Sequence, residues 1–558
     1  MKNQIITLLF GLAVFLFWRY SYPFALTYQE QLQLFLLDGD YLCQRLSEPG
    51  GLARYLAEFL VQFYNGVTIG AAILALLFML VQRLTWWLMR TEEHYLLSFI
   101  PPLMLWIAMG DESVLLTYTV ALLLTLLATA LLARLFFAWG YEKRMLLRKL
   151  YLMLILMPLL YWLIGPMALL AACFLMPLAV VYTLALILVS AHYLPYPTLR
   201  VFLGISYYRV PMTLPYLLMA IPIVIWLLGN IVRLMPAAGR RAVIVEALAV
   251  VLAIGGIMGG WGYDAKRYEL IAYDHLVRIG DWKGIIDKAE KQMPDLPMSV
   301  SATNLALAMT NQLGDRAFHF YQHGSEGLLP KFERNFATTQ LTGEIYFQLG
   351  LVNTAQRLAF EAMEAIPNYN KSVRVVKRLA ETNLVNGQYQ VAAKYLHLLE
   401  KTVFYRRWAQ RTLALLGNEK AINAHPLYGR LRQWRLTDDF LFSETELDKI
   451  CGQLFLHNPQ NQMAAQYLLM LPLMDKDLQR FTSYAQVVQS HRQYNPRHCQ
   501  EALALAFMQQ RQQPPKGLIS PLILQQLNDF SRIYSSNHQA PELQQFRNTV
   551  WYYLLIRN

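Results

Sequence analysis

The chain opens MKNQIITLLFGLAVFLFWRYSYPF (residues 1–24). A single early lysine is followed by an apolar run that ends in Phe17, Trp18, Arg19, Tyr20 and Tyr22. A cleaved secretory signal would end in small residues instead. Bulky aromatics beside an arginine suit the boundary between hydrocarbon and water. The stretch therefore reads as an uncleaved first membrane helix.

The same pattern recurs downstream. A hydrocarbon core of ~30 Å needs about 20 helical residues. Spans of that order are expected near residues 5–21, 66–82, 112–133, 167–190, 212–232 and 242–262, with shorter runs near 96–109 and 151–164. The expectation is an all-α protein whose first part, residues 1–263, is a bundle of about eight crossings with a long outer loop at 22–65. PPLMLWIAMGDESVLL (101–116) and MPLLYWLIGPMALL (157–170) place Pro-Leu, Trp and Gly at similar offsets. They fit either an internal repeat of a short-long helical hairpin or two similar apolar hairpins. In GGIMGG (255–260), glycines four apart allow close helix approach, within the chain or between two copies.

Of the 558 residues 56% are hydrophobic and 15% charged, but the charges are unevenly spread. They are sparse before residue 263 and at soluble density after it. The net charge of +12 contains no dense basic tract, which argues against nucleic acid as a partner and for lipid headgroups. Arg134, Lys143, Arg144, Arg148 and Lys149 mark loop 134–149 as cytoplasmic. Loop 22–65 and the Asp111–Glu112 turn then lie outside. Eight crossings put residues 264–558 in the cytoplasm, and also put Arg233, Arg240 and Arg241 outside, against the charge rule. One crossing more or fewer within 151–211 moves the tail outside, so its side stays open.

The tail also looks helical. Gly280, Gly314, Gly350, Gly387 and Gly417 follow apolar-periodic stretches at intervals near 34 residues, the period of tetratricopeptide helix pairs. LGLVNTAQRLAFEAMEAIP (349–367) carries Leu349-Gly350, Ala355, Ala362 and Pro367 at that repeat's positions. Small alanines let helices cross closely, and proline ends the second helix. Residues 264–420 are thus expected to form a tetratricopeptide-like solenoid and 421–558 a further helical piece or cap. Such a surface binds a protein partner or packs on its own membrane half.

Chemistry is thinly marked. Cys43, Cys173, Cys451 and Cys499 form no CxxC or metal-spaced cluster, no metal site is specified, and the cofactor is unknown. No phosphate loop, HExxH, GxSxG or dinucleotide GxGxxG occurs. What remains is outer acids: Asp38 and Asp40 in the first outer loop, Asp111 and Glu112 in the second. If the helices bundle, the two places can share one mouth. A carboxylate there could take a proton from an attacking hydroxyl or hold a divalent metal against a phosphate. Ordinary solvated loop acids are the competing account.

A first helix, a long acidic outer loop and acids in the second outer turn resemble the polytopic C-type glycosyltransferases, which use lipid-linked phosphate sugars at the outer membrane face. The resemblance implies an essential acid at Asp38 or Asp40, metal-ligating acids at Asp111 and Glu112, and a lipid-phosphate contact at Arg200 or Arg209 in LRVFLGISYYRVP (199–211). YQEQLQLFLLDGDY (28–41), PGGLARYLAEFLVQFY (49–64) and VVKRLAETNLVNGQYQVAAKYL (375–396) resemble an uncharacterised bacterial family of multi-span proteins with a repeat-like tail. That implies a multi-pass protein of the bacterial inner membrane. Two functions are expected to compete: a glycosyltransferase-like enzyme with a lipid-linked sugar substrate, and a non-catalytic scaffold whose tail recruits proteins. Spans nearly free of ionisable residues disfavour a transporter.

Overall fold

A computed structural model describes residues 2–138, 143–210, 213–331, 336–366, 371–436, 438, 446–492 and 494–557. The chain is all-α, with no strand among the described residues. It divides into two compact units. One is Met1–Ile271 with Ile366–Val373 and Leu398–Arg407; the other is the remainder of the tail.

The first unit follows from its apolar composition, because backbone polar groups in hydrocarbon must be bonded within their own segment. Among the described residues six helices are long and apolar enough to cross a membrane: Lys2–Ser21, Val67–Met89, Leu116–Ala138, Met145–Ile164, Tyr216–Leu234 and Arg240–Trp261. Tyr95–Met109 and Pro177–Tyr193 are apolar but shorter. The elements in order are α1 (Lys2–Leu16), α2 (Pro23–Gln31), α3 (Gly39–Leu46), α4 (Gly51–Val61), α5 (Val67–Met89), α6 (Ile100–Met109) and α7 (Leu116–Ala138). After them come α8 (Lys143–Ile164), α9 (Ala168–Leu175), α10 (Pro177–Tyr193), α11 (Thr198–Leu203), α12 (Tyr216–Ile231), α13 (Arg240–Gly256) and α14 (Ala265–Ile279).

Contacts at the helix ends sort the connections into two sets. At one end Tyr22 donates to the Gly110 carbonyl (3.0 Å) and Tyr207 to that of Ile164 (2.7 Å). Gly50 N–H reaches the Trp162 carbonyl (2.8 Å), and Tyr22 stacks on Tyr263. At the other end His94 pairs with Glu246 (2.5 Å), Glu93 accepts from Ala238 N–H (2.8 Å), and Arg134 lies over Trp87.

The expected span at 167–190 is a correction. Met176 is extended and Pro177 starts a new helix, so the run breaks into α9 and α10. The eight residues of α9 rise about 12 Å, well short of the ~30 Å core. α10 runs alongside α8 in the same direction. Tyr182 donates to the Leu154 carbonyl (3.3 Å), and one turn from α10's end Ser190 bonds Tyr161. Residues 168–193 therefore enter and leave at one end. The segment expected to be short at 151–164 belongs instead to the full-length α8, so the two proposed hairpins differ in construction. Among the described residues seven segments, the six long helices and Tyr95–Met109, join the two ends. In GGIMGG, Ile257 is buried and Gly256 lies against Trp261, whereas a Cβ at Gly255, Gly259 or Gly260 would meet no atom within 4 Å.

Segment 22–65 is folded around Glu58. Its carboxylate accepts from Tyr41 (2.6 Å), Arg45 (2.7 Å) and Arg54 (3.0 Å). Arg54 also pairs with Glu48 (3.3 Å), which Tyr196 reaches at 3.0 Å. This neutralised cluster lets charged residues sit in the interior of the loop. Segments 371–373 and 398–407 complete this unit: Ser372 donates to the Gln31 carbonyl (2.6 Å), Tyr405 to Glu30 (2.9 Å), and Phe404 meets Phe63 edge-on.

The second unit is built of helices packed on their neighbours, such as Phe336–Leu349 with Val352–Glu364 and Leu447–His457 with Gln462–Met474. One hydrophobic core runs through it from Tyr273 to Tyr553. Gly280, Gly350, Gly387 and Gly417 take positive φ at helix ends, where an L side chain is strained. Gly314 does not; it lies inside the short helix Leu313–Arg316. Leu349, Ala355 and Ala362 are buried at the interfaces, whereas Pro367 lies outside the described residues.

Burial alone would push the Glu58 carboxyl up, but Arg54 and Arg45 override it and hold it below the usual carboxylate value. Its stabilising charge is present above the unfolded pKa of about 4.3 and is lost as pH falls through the lower folded value. Glu58→Ala strands two buried arginines and is expected to cost about 3–5 kcal/mol. The corresponding fall in the thermal midpoint of detergent-solubilised protein is to vanish as the pH is lowered below that range.

Candidate functional site

The site is made by two loops that clasp each other. Arg209 N–H donates to the Ser113 carbonyl (2.8 Å), and Leu115 N–H to that of Tyr207 (3.0 Å). This short antiparallel contact, centred on Val114 and Tyr208, brings the α6–α7 turn against the segment after α11. Asp111, Glu112, Arg200 and Arg209 thereby come together.

Asp111 accepts from Ser113 N–H (2.8 Å) with one oxygen and from the Tyr208 hydroxyl (2.9 Å) with the other. The Tyr208 carbonyl in turn accepts from Arg200. Glu112 is buried and ion-paired to Arg267, yet its second oxygen finds no hydrogen-bond partner among the described residues. Burial pushes the Glu112 carboxyl up, against the pull of Arg267. Arg209 shows two buried N–H groups, Nε and Nη1, without an acceptor among the described residues. Burial pushes its guanidinium down from its ordinary value, opposed by Tyr28, Glu112 and Asp111. It remains a cation at neutral pH. A small chamber of 20 Å³ joins Arg209 to Gln29, Gln33, Arg54 and Glu58.

Two larger cavities involve the clasped loops or the residues beside them. A polar one of 240 Å³ is walled by Tyr22, Trp261 and Tyr263 and carries Asp111, Glu112, Asp264 and Arg267. An apolar one of 460 Å³ lies between α7, α9, α11 and α12, lined by Leu170, Cys173, Phe202, Tyr207, Met219 and Ile223 among others. Its two tyrosine hydroxyls are turned to backbone carbonyls, Tyr118 to Leu218 and Tyr207 to Ile164. Phe202, Met219, Ile223 and Trp226 are exposed at its rim. The shortness of α9 and the prolines at 166, 215 and 222 leave this space open.

Asp38 and Asp40 are elsewhere. Asp38 caps α3 through Asp40 N–H (3.3 Å) and pairs with Lys401 Nζ (2.5 Å), which holds it below the usual carboxylate range. Asp40 is exposed beside it. Neither shares a partner with Asp111. No group of three or more His, Cys, Asp or Glu converges to hold a metal among the described residues.

Sequence reasoning missed Arg267, Tyr208 and the Glu58 cluster. The Arg54–Glu58 spacing of four was a legible helical ion pair. Arg267 lies beyond the expected domain boundary at 263, and nothing local to it signals a partner 155 residues earlier.

Fold and composition define an all-α integral membrane protein with multiple apolar spans. The chain belongs to a family of unknown function, DUF6057, matched over residues 1–557. No curated protein and no solved structure matches it.

Arg267→Gln removes the one cation that ion-pairs with the buried Glu112 among the described residues. Glu112 is then expected to be protonated at neutral pH, seen as a new carboxylic-acid stretch in infrared difference spectra. That band is to be absent from the Arg267→Gln, Glu112→Gln double variant.

Proposed function

We propose that this protein is a glycosyltransferase-like enzyme acting on a lipid-linked sugar at the outer face of a bacterial inner membrane. The observation that carries this reading is Arg209, a half-buried cation whose buried Nε and Nη1 groups find no acceptor among the described residues, held beside Asp111 and Glu112. A buried donor without an acceptor is costly, and a phosphate oxygen would satisfy it. Arg200, tied to the same segment through Tyr208, adds a second cation. The aromatic and carboxylate walls of the polar cavity suit a sugar, and the apolar cavity suits a hydrocarbon chain. Asp111, in the polar cavity and oriented by Tyr208, is placed to accept a proton from an attacking hydroxyl. Glu112 and Asp111 are also the pair that could meet a divalent metal on the donor phosphate. In this reading Asp38 and Asp40 hold Lys401 and the outer loop rather than the reacting groups.

The direction of insertion supports an outer-face site. Arg83, Arg90, Arg134, Arg148, Lys149, Arg233, Arg240 and Arg241 all fall at the end opposite the clasp. Loops rich in Lys and Arg stay in the cytoplasm. Because 168–193 returns to the end it left, Arg233, Arg240 and Arg241 now obey the rule. The chain beyond residue 264 then starts on the outer side, in one compartment with Asp111. A periplasm-dependent phosphatase reporter fused after residue 557 is expected to be active, and a cytoplasm-dependent one silent; the reverse pattern would defeat this orientation.

Asp111→Asn and Arg209→Gln are each expected to lower formation of a cell-envelope glycan by about 10²-fold or more, with Asp38→Asn and Asp40→Asn near wild type. The scaffold alternative draws on the tail segments 371–373 and 398–407 seated on the outer loop. Wild-type glycan in the Asp111 and Arg209 variants, at normal protein levels, would leave that alternative standing.

A further inference from the structure

The second unit carries a cavity that the membrane site does not explain. It measures 410 Å³, within the range of small-molecule sites. It lies between the turn at 317–319 and the C-terminal pieces Pro541–Phe546 and Val550–Leu555. Its charged lining groups are two arginines, Arg547 and Arg557, with the His319 imidazole beside them. Neutral donors come from Asn548, Gln544 and Tyr552, and Phe318 and Ile556 give it apolar walls.

The arginines are not spent on the protein. Neither Arg547 nor Arg557 has a carboxylate partner among the described residues. Arg557 is steadied over the Tyr321 ring (5.1 Å) and only grazes the Phe320 carbonyl (3.5 Å). Gln544 donates to the Tyr552 hydroxyl oxygen (2.9 Å), which leaves that hydroxyl's proton free to donate onward.

The buried acid Glu501, which interacts with His319, already has its own partners. It accepts from Arg497 (2.8 Å) and from Val550 N–H (3.0 Å) and pairs with His498 (3.0 Å). Burial, then His498, Arg316 and Arg497, push His319 below its ordinary value, against the opposing charge of Glu501. An anion entering here meets unbalanced positive charge and at least five donor groups. A carboxylate has two oxygens to offer them; a phosphate has three.

We propose that this cavity binds a small organic phosphate, with the phosphate held between Arg547 and Arg557 and an apolar or ring body against Phe318 and Tyr552. The site lies wholly in the tail and does not depend on the membrane-site function proposed above.

The test is calorimetric titration of the full-length protein in detergent with phenyl phosphate, and with benzoate in parallel. Phenyl phosphate is expected to bind more tightly than benzoate. Arg547→Gln and Arg557→Gln are each to weaken it about tenfold or more, the loss of one charge-assisted contact. Arg557→Lys, which keeps the charge, is to lose less. Arg532→Gln serves as a control: Arg532 is exposed and paired to Asp529 on the helix Pro521–Ser536. Unchanged binding in both cavity variants, with thermal midpoints preserved, overturns the site. An equal loss in Arg532→Gln overturns it as diffuse surface charge, and benzoate binding as tightly as phenyl phosphate overturns the phosphate assignment.

Discussion

The two backbone hydrogen bonds that join Ser113 and Leu115 to Tyr207 and Arg209 hold the membrane unit's chemistry in place. They are the nearest thing to a sheet in an otherwise helical chain. Without them the α6–α7 turn and the segment after α11 would be separate wet loops. With them, Asp111, Glu112 and Arg209 lie at one polar junction to which Arg200 is tied through the Tyr208 carbonyl; the burial of Glu112 is offset by Arg267, and that of Arg209 by Tyr28, Glu112 and Asp111. A backbone contact is a durable way to do this, because it survives substitution of the side chains it positions.

The same end of the bundle shows how a loop keeps charge out of water. Glu58 is surrounded by Arg45, Arg54 and Tyr41, and the second carboxylate, Glu48, takes the remaining arginine hydrogen-bonding capacity together with Tyr196. Pairs of this kind add little net stability over a greasy core of equal volume. What they provide here is geometry: two short helices, α3 and α4, that would be marginal alone are tied to each other through Glu58. Asp38 belongs to this structural economy, since its carboxylate caps a helix and grips Lys401.

Much of the architecture was legible because hydrocarbon imposes a length and a polarity that few residues can evade. The apolar spans, the helical tail and the glycine helix ends at 280, 350, 387 and 417 were all local signals. What failed were the distinctions that depend on neighbours. The run at 167–190 looks like a span by hydropathy, and only the Met176–Pro177 break reveals two pieces. The pairing of Glu112 with Arg267 and of Asp38 with Lys401 crosses long stretches of chain and leaves no periodic trace. The acids at 38–40 and 111–112 looked alike on paper. Their partners are what separate them.

α13 has no buried residue along its length, and the stripe of glycines near its end faces open space. A helix so weakly held by protein takes its tilt from the thickness of the surrounding lipid. Its far end runs into Trp261, Tyr263 and Arg267, three walls of the polar cavity. A change of bilayer thickness that tilted α13 would therefore shift one wall of that cavity.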